Sequence, residues 1–104
     1  MSEITMQLQV ALFKEDGQFV AYCPALELSS YGDTPKEAKQ AFDEALDIFV
    51  EETTEKGTLE KVLLQLGWSL KRKPKPDYQP PQLDASKVSR HNPSFYKERF
   101  AIPV

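Results

Sequence analysis

Hydrophobic and polar residues alternate over the first part of the chain. Every second residue from position 4 to position 12 is apolar, and most residues between them are polar. A period of two over this length is typical of a strand with one buried face. Residues 14–17 have the composition of a tight turn. Residues 18–23 are mostly apolar or aromatic and predict a more central second strand, which pairs with the first as an antiparallel hairpin.

A third strand leads into a long helix. Pro24 cannot donate a ladder hydrogen bond, so it ends the second strand, and residues 27–31 have the pattern of a short third strand. Thr34, Pro35 and Glu37 then form a capping-box sequence with proline at the first helical position. Such a sequence predicts a helix that begins at Pro35.

The long helix is amphipathic, and a short helix and a fourth strand follow it. Gly57 is expected to end the long helix, and residues 58–66 have the spacing of a second, shorter helix. Residues 68–70 alternate again and suit a strand at the edge of the sheet. The apolar face of the long helix consists of Ala38, Ala41, Phe42, Ala45, Leu46, Phe49 and Val50.

The predicted fold class is α+β. Residues 1–72 are expected to form a three-stranded antiparallel sheet, a long helix, a short helix and a fourth strand. Six of the eight prolines lie in residues 73–104, which are expected to form an extended C-terminal arm. Phe95, Tyr96 and Phe100 restore hydrophobicity near its end. We expect this end to dock as a short strand on this chain or on a neighbour.

Composition narrows the class of protein. The chain has 104 residues, of which 40% are hydrophobic and 28% charged, as is typical of one globular domain. No apolar run approaches the roughly 18 residues of a membrane span, and the N-terminal residues have no signal-peptide pattern. The single cysteine, Cys23, cannot form an internal disulfide, so we expect a cytoplasmic protein.

The net charge of −3 conceals two segments of opposite sign. Residues 33–60 hold nine acidic and three basic residues, whereas residues 61–104 hold nine basic and three acidic residues. One interpretation is a solvated helix followed by a lysine-rich tail, with no partner involved. The other is a bipolar molecule whose acidic helix faces a basic partner.

Little in the sequence predicts catalysis. The only histidine, His91, is distant from Cys23 in the sequence, and the chain has no zinc-binding cluster, P-loop or dinucleotide-binding motif. Carboxylates are numerous, but their spacing does not force them to converge on a metal ion. We therefore expect a protein that is not an enzyme, with no catalytic residue, no metal site and no cofactor.

One segment is a candidate for contact with nucleic acid. Lys71, Arg72, Lys73 and Lys75 form a basic run suited to contacting phosphates. The same charges would also keep an edge strand from pairing with another chain. No helix-turn-helix pattern follows, so sequence-specific DNA binding is not expected.

Several short motifs accompany the order of three strands and a helix. Gly-Asp-Thr stands at residues 32–34, Glu-Ala at residues 37–38 and Glu-Ala-Leu at residues 44–46, and a proline-led turn lies at residues 22–26. In this order and spacing, they resemble the HicB family of antitoxins. The resemblance covers residues 4–70. The resemblance implies a partial, degenerate ribonuclease H-like fold, and a protein that binds and masks HicA, a small basic toxin that cleaves mRNA. It also implies a homo-oligomer, either a dimer or a tetramer.

The chain departs from the family at two places. Residues 25–28, Ala-Leu-Glu-Leu, replace the usual Leu-Pro-Gly-Cys-like turn, and the proline-rich arm stands where many members carry a DNA-binding module. Two hypotheses remain. One is an antitoxin whose arm wraps its toxin, and the other is a solitary HicB-like regulatory or scaffolding homo-oligomer without a toxin.

Partner binding is predicted for charged positions that project outward from the long helix. An acidic surface speeds and orients association with a basic protein, and aromatic residues of the arm would anchor it. The predicted partner-binding residues are Asp43, Glu44, Asp47, Glu51, Glu55, Phe95, Tyr96 and Phe100. Solubility alone is the other explanation for the charged positions among them.

Overall fold

The computed structural model describes residues 3–71, 77–81 and 92–103. The fold is mixed α+β, with one sheet of six strands and two helices. The strands are β1 (Glu3–Glu15), β2 (Gln18–Cys23), β3 (Leu28–Gly32), β4 (Ser69–Lys71), β5 (Asp77–Gln79) and β6 (Ser94–Pro103), and the helices are α1 (Pro35–Glu55) and α2 (Leu59–Gln65). The predicted hairpin, third strand, two helices and strand after them are all confirmed.

β1 is the strand around which the sheet is built. Ala11 pairs with both β2 and β6, and Thr5 pairs with both β5 and β6. A strand residue has one neighbour at each edge, so β6 occupies one edge of β1 while β2 and β5 share the other. β3 extends the sheet beyond β2, and β4 extends it beyond β5.

The predicted arm contributes two strands to this sheet. β6 pairs antiparallel to β1 over ten residues, from Glu3 opposite Pro103 to Leu12 opposite Ser94. β5 is parallel to β1 and antiparallel to β4. The four strands predicted for residues 1–72 are present, and the end of the chain docks as a strand on this chain. The additional element is β5, and with it the described parts of residues 73–104 belong to the same sheet as the rest of the chain.

Both helices pack on one face of the sheet, termed the inner face. Alternate residues of β1 point into this layer, as the period of two predicted. The indole Nε1 of Trp68 donates a hydrogen bond to the carbonyl of Ala25 at 2.8 Å, which fixes the turn after β2. The buried core consists of Met6, Leu8, Val10, Ala21, Cys23, Leu26, Ala38, Phe42, Leu46, Val50, Leu63, Trp68 and Tyr78.

The opposite side of the sheet, termed the outer face, has a smaller apolar cluster. Ala11, Phe13 and Val20 are buried there, and Tyr22 packs against them. Residues of the two helices contribute to the inner core and not to this cluster. β2 is therefore apolar on both faces, as its sequence indicated.

The start of α1 depends on a close contact with β3. Thr34 Oγ1 accepts a hydrogen bond from the amide of Glu37 at 3.1 Å, as the capping box predicts. The Glu37 carboxylate accepts a hydrogen bond from the backbone amide of Asp33 at 2.9 Å, and Asp33 directly precedes the N-cap residue Thr34. A Cβ on Gly32 would lie 2.5 Å from the amide nitrogen of Ala38, so only glycine fits at this position.

We expect Gly32→Ala to lower the free energy of unfolding by about 2 kcal/mol, because the added methyl group would overlap the backbone of α1. Chemical denaturation of the variant and the parent protein measures the loss. Gly17→Ala is the control. No atom lies within 4 Å of a Cβ at Gly17, whose φ of +82° alone costs an alanine about 1 kcal/mol. Equal losses in the two variants would contradict the close contact.

A second pair of variants tests whether β6 is part of the fold. Phe100 packs against the inner core, whereas Arg99 is exposed on the outer face. We expect Phe100→Ala to lower the free energy of unfolding by about 2 kcal/mol and Arg99→Ala to change it by less than about 0.5 kcal/mol. An arm detached from the sheet would make both changes negligible in a denaturation experiment.

Candidate partner-binding surface

Three carboxylates from two elements of the fold meet beside α1. Asp43 and Asp47 lie one turn apart on the helix, and Glu98 lies on the inner face of β6, opposite Leu8. The side chain of Glu98 shares a hydrogen bond with Asp43, and the charges of both aspartates act on it. Asp43, Asp47 and Glu98 are termed the carboxylate cluster.

The cluster changes the ionisation of Glu98. Burial, then the hydrogen bond with Asp43 and the negative charges of Asp43 and Asp47, raise the pKa of Glu98 from 4.5 to about 7. Near neutral pH this carboxyl is therefore partly protonated. Its Oε2 atom is buried and has no hydrogen-bond partner among the described residues.

Tyr96 and Lys39 flank the carboxylate cluster. Tyr96 lies two residues from Glu98 on the same face of β6, and Lys39 Nζ is 4.8 Å from the centre of its ring, within the range of a cation–π contact. The Tyr96 hydroxyl is also buried without a hydrogen-bond partner in the part of the chain that the structure describes. Burial, followed by the charge of Glu98, raises the pKa of Tyr96 to about 12, so the hydroxyl stays a donor at neutral pH.

The side of α1 opposite the core forms a second acidic feature. Glu44, Glu51 and Glu55 are exposed, and Ile48 lies among them with 56% of its surface exposed. These four residues are termed the acidic stripe. An exposed aliphatic side chain within a charged rim is the arrangement found at the centre of many protein interfaces.

The structure brings some predicted partner-binding residues together and separates others. Asp43, Asp47 and Tyr96 meet at the carboxylate cluster, next to the acidic stripe. Phe100 packs against the hydrophobic core, so a structural role explains why this position is apolar. Phe95 is 41% exposed but lies on the outer face, away from α1. The predicted aromatic anchors of the arm therefore do not form one surface.

Sequence reasoning missed Glu98, Lys39 and Ile48. The position of Ile48 was detectable, because helical phase places this apolar residue on the side opposite Leu46. Glu98 gave no comparable signal. Its contact with the helix depends on where β6 docks, and local periodicity carries no information on that.

The remaining candidate residues lie partly outside the described residues. Lys71 ends β4, but its side chain is not described, and Arg72, Lys73 and Lys75 lie outside the described ranges. Nucleic-acid contact through this run stays a prediction. His91 also lies outside them, and Cys23 is buried, which raises the pKa of its thiol to about 11 and keeps it unreactive.

Within residues 3–71, 77–81 and 92–103, no group of three or more His, Cys, Asp or Glu side chains is placed to hold a metal ion. None of the described helices is both long enough and apolar enough to cross a membrane. No protein-family model matches the chain, and neither a curated protein nor a solved structure does. The molecule is thus defined by its mixed α+β fold and by the acidic surface around α1.

The raised pKa of Glu98 predicts a pH-dependent stability. The folded protein holds this proton up to about pH 7 and the unfolded chain releases it near 4.5, so the contribution of Glu98 to stability falls as pH rises between these values. We expect Glu98→Gln to remove this decline. At about pH 8 the variant should have a free energy of unfolding about 1 kcal/mol higher than that of the parent protein. The difference is small because the side chain is partly solvated.

Urea denaturation between about pH 4 and about pH 8 measures the effect. Glu52→Gln is the matched control, because Glu52 is exposed on α1. Parallel pH profiles of the Glu98→Gln variant and the parent protein would contradict the coupling within the carboxylate cluster.

Proposed function

We propose that this chain is a HicB-like antitoxin, a binding protein and not an enzyme, that neutralises a small basic HicA-type toxin by protein–protein contact. The observation that carries the proposal is the surface around α1. There, the carboxylate cluster and the acidic stripe gather six carboxylates around one exposed aliphatic side chain. A surface of this kind is complementary to a basic protein.

The two acidic features have different roles in this mechanism. The acidic stripe supplies long-range attraction and an apolar contact through Ile48, which together speed and orient the encounter. The carboxylate cluster receives a lysine or arginine side chain of the toxin. The incoming cation favours the ionised form of Glu98, and the proton leaves to solvent.

The helix entry also supports the proposal. The resemblance to the HicB family is strongest over residues 31–52, and residues 32–34 of this stretch each contribute to the start of α1. Gly32 permits the close approach of β3 to α1, and Thr34 caps the helix. The backbone amide of Asp33 donates a hydrogen bond to the Glu37 carboxylate.

Affinity purification from the native host tests the proposal. The tagged protein is recovered, its partners are identified by mass spectrometry, and the complex is sized by light scattering. The proposal expects a small basic protein in a fixed ratio. Recovery of the homo-oligomer alone, from cells that express such a toxin, would favour the solitary regulatory or scaffolding protein instead.

Charge-reversal variants test the contact itself. We expect Asp47→Lys and Glu51→Lys each to weaken toxin binding about tenfold, because each reverses a charge on the proposed binding surface. Titration calorimetry or biolayer interferometry measures the affinity. Glu60→Lys is the matched control, since Glu60 is exposed on α2. The same loss in all three variants would indicate a general effect of net charge and would contradict a defined site on α1.

The predicted contact of Lys71, Arg72, Lys73 and Lys75 with nucleic acid has a direct test. A retardation assay with random DNA and RNA, at low and at high salt, detects binding through phosphate contacts. Absence of binding at low salt would remove this hypothesis and would leave protein binding as the function.

A further inference from the structure

β6 is a long edge strand of the sheet. Among residues 3–71, 77–81 and 92–103, β1 is the only strand that pairs with it. The edge strands β3 and β4 have five and three residues, whereas β6 has ten. Its ladder with β1 runs without a bulge, and proline occurs only at its last residue. Shortness, bulges and proline are the usual protections of an edge strand, and β6 has none of them along its length.

The free edge of β6 presents backbone hydrogen-bonding groups. In an antiparallel pair, alternate residues of a strand direct their N–H and C=O groups to the neighbour, and the others direct them away. No backbone hydrogen bond joins β6 to a described element other than β1. These outward-directed groups suit a further strand from another protein, a mode of recognition called β-augmentation.

The charged side chains of β6 define which strand would fit. Lys97 and Arg99 are exposed on the outer face. Glu98 lies between them on the inner face, next to the other two members of the carboxylate cluster. Directly opposed side chains of neighbouring strands interact, and like charges at such positions are destabilising. A strand that fits therefore has acidic residues opposite Lys97 and Arg99 and a basic residue opposite Glu98.

Apolar contacts extend this pattern on the inner face. Tyr96 and Phe100 pack against the core, yet both are only half-buried. Apolar residues opposite these two side chains would remove more of their surface from water. The strand complementary to residues 96–100 therefore reads apolar, acidic, basic, acidic, apolar.

A second copy of β6 does not fit this pattern. Antiparallel pairing of two copies centred on Glu98 places Glu98 opposite itself and Lys97 opposite Arg99. Pairing centred on residue 97 or 99 places a cation opposite itself. All of these contacts join like charges, so the triplet that would stabilise a complementary strand acts against a copy.

We propose that β6 is the docking site for an extended segment of a partner protein, which joins the sheet as a further strand and carries an acidic–basic–acidic triplet opposite residues 97–99. Backbone hydrogen bonds supply affinity, and the charged side chains fix the register. A short extended segment loses chain entropy on binding, so we expect a dissociation constant of about 100 µM. The proposal requires no toxin and is tested without one.

The probe is a peptide with blocked ends, Thr-Val-Glu-Lys-Glu-Val-Thr, added to the full chain. The sequence is the same in both directions, so it matches β6 in either orientation. An NMR titration to about 2 mM peptide measures affinity, and hydrogen exchange should slow at alternate amides of β6.

Two further peptides test pairing through the backbone. They have the same charges as the probe, but one is N-methylated at its even positions and the other at its odd positions. One should bind at least about tenfold more weakly than the probe and the other should bind as well as the probe, because only alternate amides of an added strand face β6.

A charge exchange tests the side-chain pattern. The double variant Lys97→Glu with Arg99→Glu should bind the probe about tenfold more weakly. The peptide Thr-Val-Lys-Lys-Lys-Val-Thr should instead prefer this variant to the parent chain, which also shows that the variant is folded. Lys56→Glu with Lys61→Glu is the matched control, since it changes the net charge equally at two exposed lysines, one after α1 and one on α2.

Several results would overturn the proposal. Equal binding of the two N-methylated peptides, or an equal loss in the two double variants, would show attraction by charge alone. Failure of the probe to bind, with unchanged exchange of the β6 amides, would also overturn it. If a toxin is recovered in affinity purification while the probe does not bind, only this inference fails. If the probe binds while no toxin is recovered, only the proposed function fails.

Discussion

The pairing of β6 with β1 is the interaction that decides which side chains each face of the sheet carries. Ten residues in register fix which side chains of β6 face α1 and which face away. Tyr96 and Glu98 are thereby placed beside the helix, while Phe95, Lys97 and Arg99 are placed on the outer face. A slip of one residue would exchange these two sets, because side chains of a strand alternate between faces. Tyr96 and Phe100 pack against the core, and this hydrophobic contact resists such a slip.

The carboxylate cluster shows how this pairing creates a local electrostatic cost. Asp43 and Asp47 are ordinary exposed residues of a helix until β6 brings Glu98 beside them. Burial next to two negative charges then disfavours the ionised form of Glu98, so the protein retains a proton that a free glutamate would lose. In the proposed complex, a basic side chain of the partner would relieve this cost.

The two faces of the sheet differ because the helices cover only one of them. On the inner face, the close contact at Gly32 holds α1 against β3, and the core fills the space between. On the outer face, Ala11, Phe13 and Val20 form a smaller buried cluster against which Tyr22 packs.

The sequence by itself determined the local elements. The period of two in β1, the Asp-Gly turn, the cap at Thr34 and the helical spacing of the apolar residues each depend on neighbours in the chain, so they could be predicted without the fold. The pairing of β5, the two sides of β6 and the meeting of Asp43 with Glu98 could not. They were decided only in the tertiary structure, because the pairing of β1 with a strand from the far end of the chain is set by the shape of the assembled core, and no local pattern encodes it.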